Sequence, residues 1–115
     1  MIIALFIYNE EERHMKLKIT GHAEGDPKGQ NLVCAAVSAL ALTAANAVMH
    51  LWKKDILKSM PMVDLTPGNT VISVTATPNT EAEMLMVFWT LQSGIDALEK
   101  LYPEKVTLGH VLMVR

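Results

Sequence analysis

Cys34 is the only cysteine in the chain, and His22 stands twelve residues before it, across a segment punctuated by Gly21, Gly25 and Gly29. Glycine accepts backbone angles that other residues avoid, so this segment can fold back and bring the imidazole toward the thiol. Asn31 is a good helix N-cap type, and an apolar run begins immediately after it. A helix capped by Asn31 would carry Cys34 in its first turn. There the partial positive charge of the helix start favours a thiolate, and a neighbouring imidazolium favours it further. Ser38 lies four residues after Cys34, on the same helical face. Thiol, hydroxyl, helix-terminal N–H groups and imidazole are together the nucleophile, base and oxyanion donors that thiol-based acyl transfer requires. On spacing alone, the commoner reading of a lone cysteine in an apolar helix is a small buried hydrophobe. Likewise Ser38 could simply satisfy a helix carbonyl.

Other chemistries fit less well. His22-Ala23-Glu24 matches half of a zinc deaminase signature, but the second half needs two cysteines and the chain has one. His22, Glu24 and Asp26 find no further ligand at a metal-binding spacing, so no metal or cofactor is expected. Glu24 and Asp26 read as solvated loop charges that could meet a basic peptide. A low-pKa thiol is also oxidisable, yet no resolving cysteine exists within the chain. His14, His50 and His110 have no comparable partners and read as structural or exposed.

The elements that must position these residues follow from periodicity. Ile2 to Tyr8 is a short apolar run, read as a well-covered strand, and Asn9 to Arg13 is a charged turn. His14 to Thr20 alternates, with Met15, Leu17 and Ile19 on one face, and should pair with the first strand as a hairpin. A helix follows from Leu32 to about Lys54, with Val33, Val37, Leu40, Ala44, Val48 and Leu51 in one stripe. Its many alanines would let it lie close to a sheet. Asp55 to Asn69 is read as loop, ending in a turn at Thr66-Pro67-Gly68-Asn69. Thr70 to Thr77 alternates as a third strand, with Ile72, Val74 and Ala76 inward and Ser73, Thr75 and Thr77 outward. Thr80 to Glu83 has the form of a capping box opening a second helix. Its stripe is Met84, Val87, Phe88, Leu91, Ile95, Leu98 and Tyr102, and Pro103 lies just past its end. Val106 to Val114 reads as the last strand. The order ββαβαβ implies an α/β two-layer sandwich: a mainly antiparallel four-stranded sheet packed against two helices, in a single domain spanning 1–115. Leu85, Met86 and Trp89 add apolar width to the second helix beyond its stripe, which leads us to expect a homodimer.

Composition sets bounds on function. The chain of 115 residues is 50% hydrophobic and 19% charged, with a net charge of −2. That is the composition of a folded domain without the basic footprint of a nucleic-acid binder. A single cysteine suits a reducing, cytoplasmic compartment. The apolar N-terminus lacks the basic start of a signal peptide. No apolar run is expected to approach the ~20 residues of a membrane span, so no membrane partner is anticipated.

Gly21-His22-Ala23, a short glycine-containing loop, and Gly29-Gln30-Asn31-Leu32-Val33-Cys34-Ala35-Ala36-Val37-Ser38 together resemble the bacterial ribosomal-processing cysteine proteases. The likeness extends from the first strand to the end of the chain. It implies endoproteolytic removal of an N-terminal extension from a large-subunit ribosomal protein, the twenty-seventh in that subunit's numbering. By the same resemblance Cys34 would be the nucleophile and His22 the base, with Gly21, Gly29, Asn31 and Ser38 supporting the site or the substrate. Asn31 stands where the family usually carries Asp. An amide caps a helix as well as a carboxylate does, but it removes a possible orienter of His22. A homologue that grips a peptide tail without cutting it is therefore the alternative reading.

Overall fold

The alternation in His14–Thr20 is realised as expected, with Met15, Leu17 and Ile19 buried and Lys18 exposed. This strand, β2, pairs antiparallel with β1 (Ile2–Asn9) in the register Phe6 to Leu17. A computed structural model describes residues 1–22 and 27–113, and side chains from residue 32 onward in the second of these segments. The remaining elements are α1 (Pro27–Lys53), β3 (Met62–Thr66), β4 (Asn69–Thr75), α2 (Glu81–Leu101) and β5 (Val106–Met113).

The sheet has five strands in the order β3-β4-β2-β1-β5. The expected four-stranded sheet is corrected by β3, which lies in the segment read as loop. Val63 and Leu65 alternate with Met62, Asp64 and Thr66, and the two-residue turn Pro67-Gly68 returns the chain into β4. Five residues gave too short an alternation to stand out beside Pro61, Pro67 and Gly68. The sheet is also mixed, because β5 runs parallel to β1. Each strand–helix–strand connection returns the chain to the same end of the sheet. Accordingly β3 runs with β2, and β5 with β4 and hence with β1.

Both helices cover the face that carries Ile2, Ala4, Phe6, Met15, Leu17, Ile72 and Val74. Against it α1 sets Val33, Val37, Ala41, Ala44, Ala45 and Val48, and α2 sets Met84, Phe88, Leu91 and Ile95. The helices approach each other at Gly94, where a Cβ would stand 2.9 Å from Leu40. The other face of β1 is less well covered than expected: Ile3 is 47% exposed, while Leu5 and Ile7 are half-buried. Ser73, expected outward, is buried between Lys16 and Met62 of the neighbouring strands.

Two expectations about the helices are corrected. Within α1, Leu32–Lys53 is long and apolar enough by composition to cross a membrane, contrary to the reading that no run approaches that length. Its Val33-to-Val48 stripe packs on the sheet, the arrangement of a core helix. In α2, Thr80 caps by position but makes no side-chain cap bond. Its hydroxyl instead accepts from the Thr77 N–H at 3.0 Å and pairs with Thr77 Oγ1 at 2.8 Å. The turn before the helix therefore takes the hydroxyl that a capping box would need.

Candidate active site

The site forms where β2 ends. After Thr20 the chain turns at Gly21, which adopts φ +86°. A Cβ there would lie 2.2 Å from the Met1 carbonyl oxygen, so no side chain fits without moving backbone. Gly21 N–H donates to the Gly68 carbonyl at 3.0 Å, and the Met1 amino group donates to the His22 carbonyl at 2.7 Å. Two backbone hydrogen bonds thus fix the ends of the dipeptide that bears the imidazole.

His22, Cys34 and Ser38 all line one cavity of about 360 Å³. Its floor is apolar, formed by Ile2 and Ile19 from the sheet and Val37 and Ala41 from α1, and its far wall is the β3–β4 hairpin with Leu65, Pro67 and Gly68. Cys34 is half-buried, while His22 and Ser38 are exposed. Among the described residues no hydrogen bond joins the imidazole to the thiol. A thiol and an imidazole opening into one cleft are the pair that thiol-based acyl transfer needs, and free enzymes often tighten such contacts only when substrate binds.

One feature of the expected site is corrected. Asn31 does not cap α1; the helix begins at Pro27, so Gly29 and Asn31 are its third and fifth residues. Proline is well suited to the first helical position, where its missing N–H costs no bond, and this was the available sequence signal. Cys34 is therefore the eighth residue, about two turns in. The field of a helix terminus falls off within its first turn, so the expected helix-terminal N–H donors and positive end are not at the sulfur. Glu24, Gly25 and Asp26, expected to form the glycine loop, lie outside the described residues.

Sequence reasoning also missed the hairpin wall. Asp64 Oδ1 accepts from the Thr66 N–H at 3.0 Å and from Thr66 Oγ1 at 2.6 Å, which tightens the strand just before Pro67. Gly68 takes φ +78° at the second corner of the turn. The Pro-Gly pair was legible as a turn, but nothing local said that it faces His22.

The groups around Tyr8 and His14 lie at the opposite end of the sheet. Tyr8 donates to Glu81 Oε2, and Arg13 Nε lies 3.9 Å from Glu81 Oε1. Burial, reinforced by the carboxylate, pushes the Tyr8 phenol up to about 12. His14 Nδ1 lies 3.0 Å from Thr75 Oγ1, and burial holds this imidazole below its ordinary value. His50 and His110 are exposed. Among the described residues no three of His, Cys, Asp and Glu converge as metal ligands.

Comparison with solved structures returns the same architecture. An essential ribosomal processing protease Prp from Staphylococcus aureus, in complex with a covalently linked product peptide, superposes with a TM-score of 0.72 at 26% identity, covering 96% of this chain and 99% of that one. SMU.848 from Streptococcus mutans gives 0.69 at 26% identity over 98% and 96% of the two chains. The S. aureus protease with a substrate peptide, aligned at 20% identity and a TM-score of 0.69 over 96% and 99% of the two chains, shares the fold. No curated protein matches the sequence. The family model for cysteine protease Prp matches residues 1–107, and with the fold and the cleft agreeing, the chain belongs to the cysteine protease Prp family.

Proposed function

We propose that this chain is a cysteine endopeptidase that removes the N-terminal extension of the twenty-seventh large-subunit ribosomal protein, with Cys34 as nucleophile and His22 as base. The observation that carries the reading is that His22, just after β2, and Cys34, on α1, open into one cleft. The imidazole takes the thiol proton, and the thiolate attacks the scissile carbonyl. The resulting imidazolium protonates the departing amine, leaving an acyl-enzyme that water then hydrolyses, restoring the thiol. With the helix start two turns away, the Ser38 hydroxyl, one turn beyond Cys34 in the same cleft, is the side-chain donor we assign to the oxyanion. The apolar floor suits an extended peptide bearing a large apolar side chain, and the net charge of −2 favours recognition of a protein tail over nucleic acid.

The test is the intact mass of the extended ribosomal protein after incubation with the wild-type chain and with Cys34→Ala. Truncation by the wild type alone supports the protease. An unchanged mass in both, with cleavage by Asn31→Asp, supports a homologue that holds the tail without cutting it. We further propose a cytoplasmic homodimer. The lone thiol favours a reducing compartment, and Met86 and Trp89 are 59% and 64% exposed on the outer side of α2, an apolar surface that a second copy would cover. A concentration-independent monomer mass in sedimentation would refute the dimer.

A further inference from the structure

The β3–β4 turn does more than close a hairpin. A Cβ placed on Gly68 would stand 2.6 Å from His22 Nε2 and 3.0 Å from its Cε1, so the edge of the imidazole rests against the bare α-carbon of this glycine. The same residue accepts the Gly21 N–H at 3.0 Å, and it holds φ +78°, in the region L side chains avoid. The backbone hydrogen bond sets where the His22 segment sits, and the absence of a side chain at 68 sets how closely its ring can approach the turn.

We infer that Gly68 is a positioning residue for His22: its missing side chain leaves the space in which the imidazole is seated in the cleft it shares with Cys34. The inference rests on the reading of His22 as the base. Any L side chain at 68 would drive the ring from 2.6 Å to the 3.4 Å of ordinary van der Waals separation, a retreat of about 0.8 Å. Misplacement of a reacting group by ~1 Å costs on the order of 10²-fold in rate.

Gly68→Asn separates the crowding of the ring from the turn itself, because Asn tolerates positive φ yet carries the colliding Cβ. The expected result is a folded protein whose kcat falls by about 10²-fold with KM little changed. Alkylation of Cys34 by iodoacetamide should then shift to higher pH, toward the profile of His22→Ala. A folded Gly68→Asn variant with wild-type kcat and alkylation profile would overturn the inference. In the wild type, a nuclear Overhauser effect between the His22 Hε1 and Gly68 Hα protons is expected, and its absence would overturn the inference even if the variant fails to fold. If that effect is present while the wild-type chain leaves the ribosomal precursor uncut, the protease reading fails and the seating of the ring stands.

Discussion

Phe88 and Trp89 are sequence neighbours on α2 with opposite environments, and replacing each by alanine tests both the core and the proposed dimer. Phe88 is fully buried, its ring centroid 5.5 Å from that of Phe6 and tilted by 33°. Truncating a buried Phe costs about 3–5 kcal/mol, of which the ring pair accounts for roughly 0.5–1.5. At about 2.1 cal/mol/K per residue, 115 residues give an unfolding entropy near 0.24 kcal/mol/K. A loss of about 4 kcal/mol therefore lowers Tm by roughly 17 °C. Trp89 is 64% exposed, and Trp89→Ala should cost the monomer no more than about 0.5 kcal/mol, or roughly 2 °C. The assay is thermal unfolding followed by circular dichroism at two protein concentrations well apart. Equal losses for the two variants at low concentration would refute the assignment of the α2 faces. A Trp89→Ala deficit that grows with protein concentration is the expected signature of a dimer through this face.

Three further outcomes follow from the same structure. Gly21→Ala puts a side chain at φ +86° and 2.2 Å from the Met1 oxygen; strain of about 1–2 kcal/mol and movement of the His22 segment should lower Tm by several degrees and kcat by at least about tenfold, and unchanged kinetics would show that the segment relaxes freely. The Tyr8 phenol ionises near 10.0 in the unfolded chain but near 12 in the folded one, so the unfolded state sheds its proton first and stability falls as pH rises through 10 to 12; Tyr8→Phe should abolish that component of the pH dependence, read from urea midpoints. Burial holds His14 below 6.5, so the unfolded chain takes up a proton first as pH falls; the stability this contributes is present above 6.5 and lost in acid, and His14→Gln should flatten the acid limb of the same measurement.

Much of the scaffold was legible because burial follows period. The alternation of Met15, Leu17 and Ile19 and the stripe from Val33 to Val48 each report which side of an element faces apolar neighbours, and both are realised in the core. The residues of the candidate site stood out by type and by the motif around them, and the fold brings His22, Cys34 and Ser38 to one cleft. Tertiary structure decided the rest. Residues 62–66 became a strand because β4 offered a pairing edge, information carried by residues distant from the segment itself. The Thr80 hydroxyl went to Thr77 rather than to a capping box because two local bonds competed for one oxygen. The parallel alignment of β1 and β5 came from the helical connections, which no single window of sequence contains. Proline at the first helical position moved the start of α1 back to residue 27 and took Cys34 away from the helix end. The seat of the imidazole against Gly68 joins residues 46 positions apart, so only the pairing of strands across the sheet could bring them together.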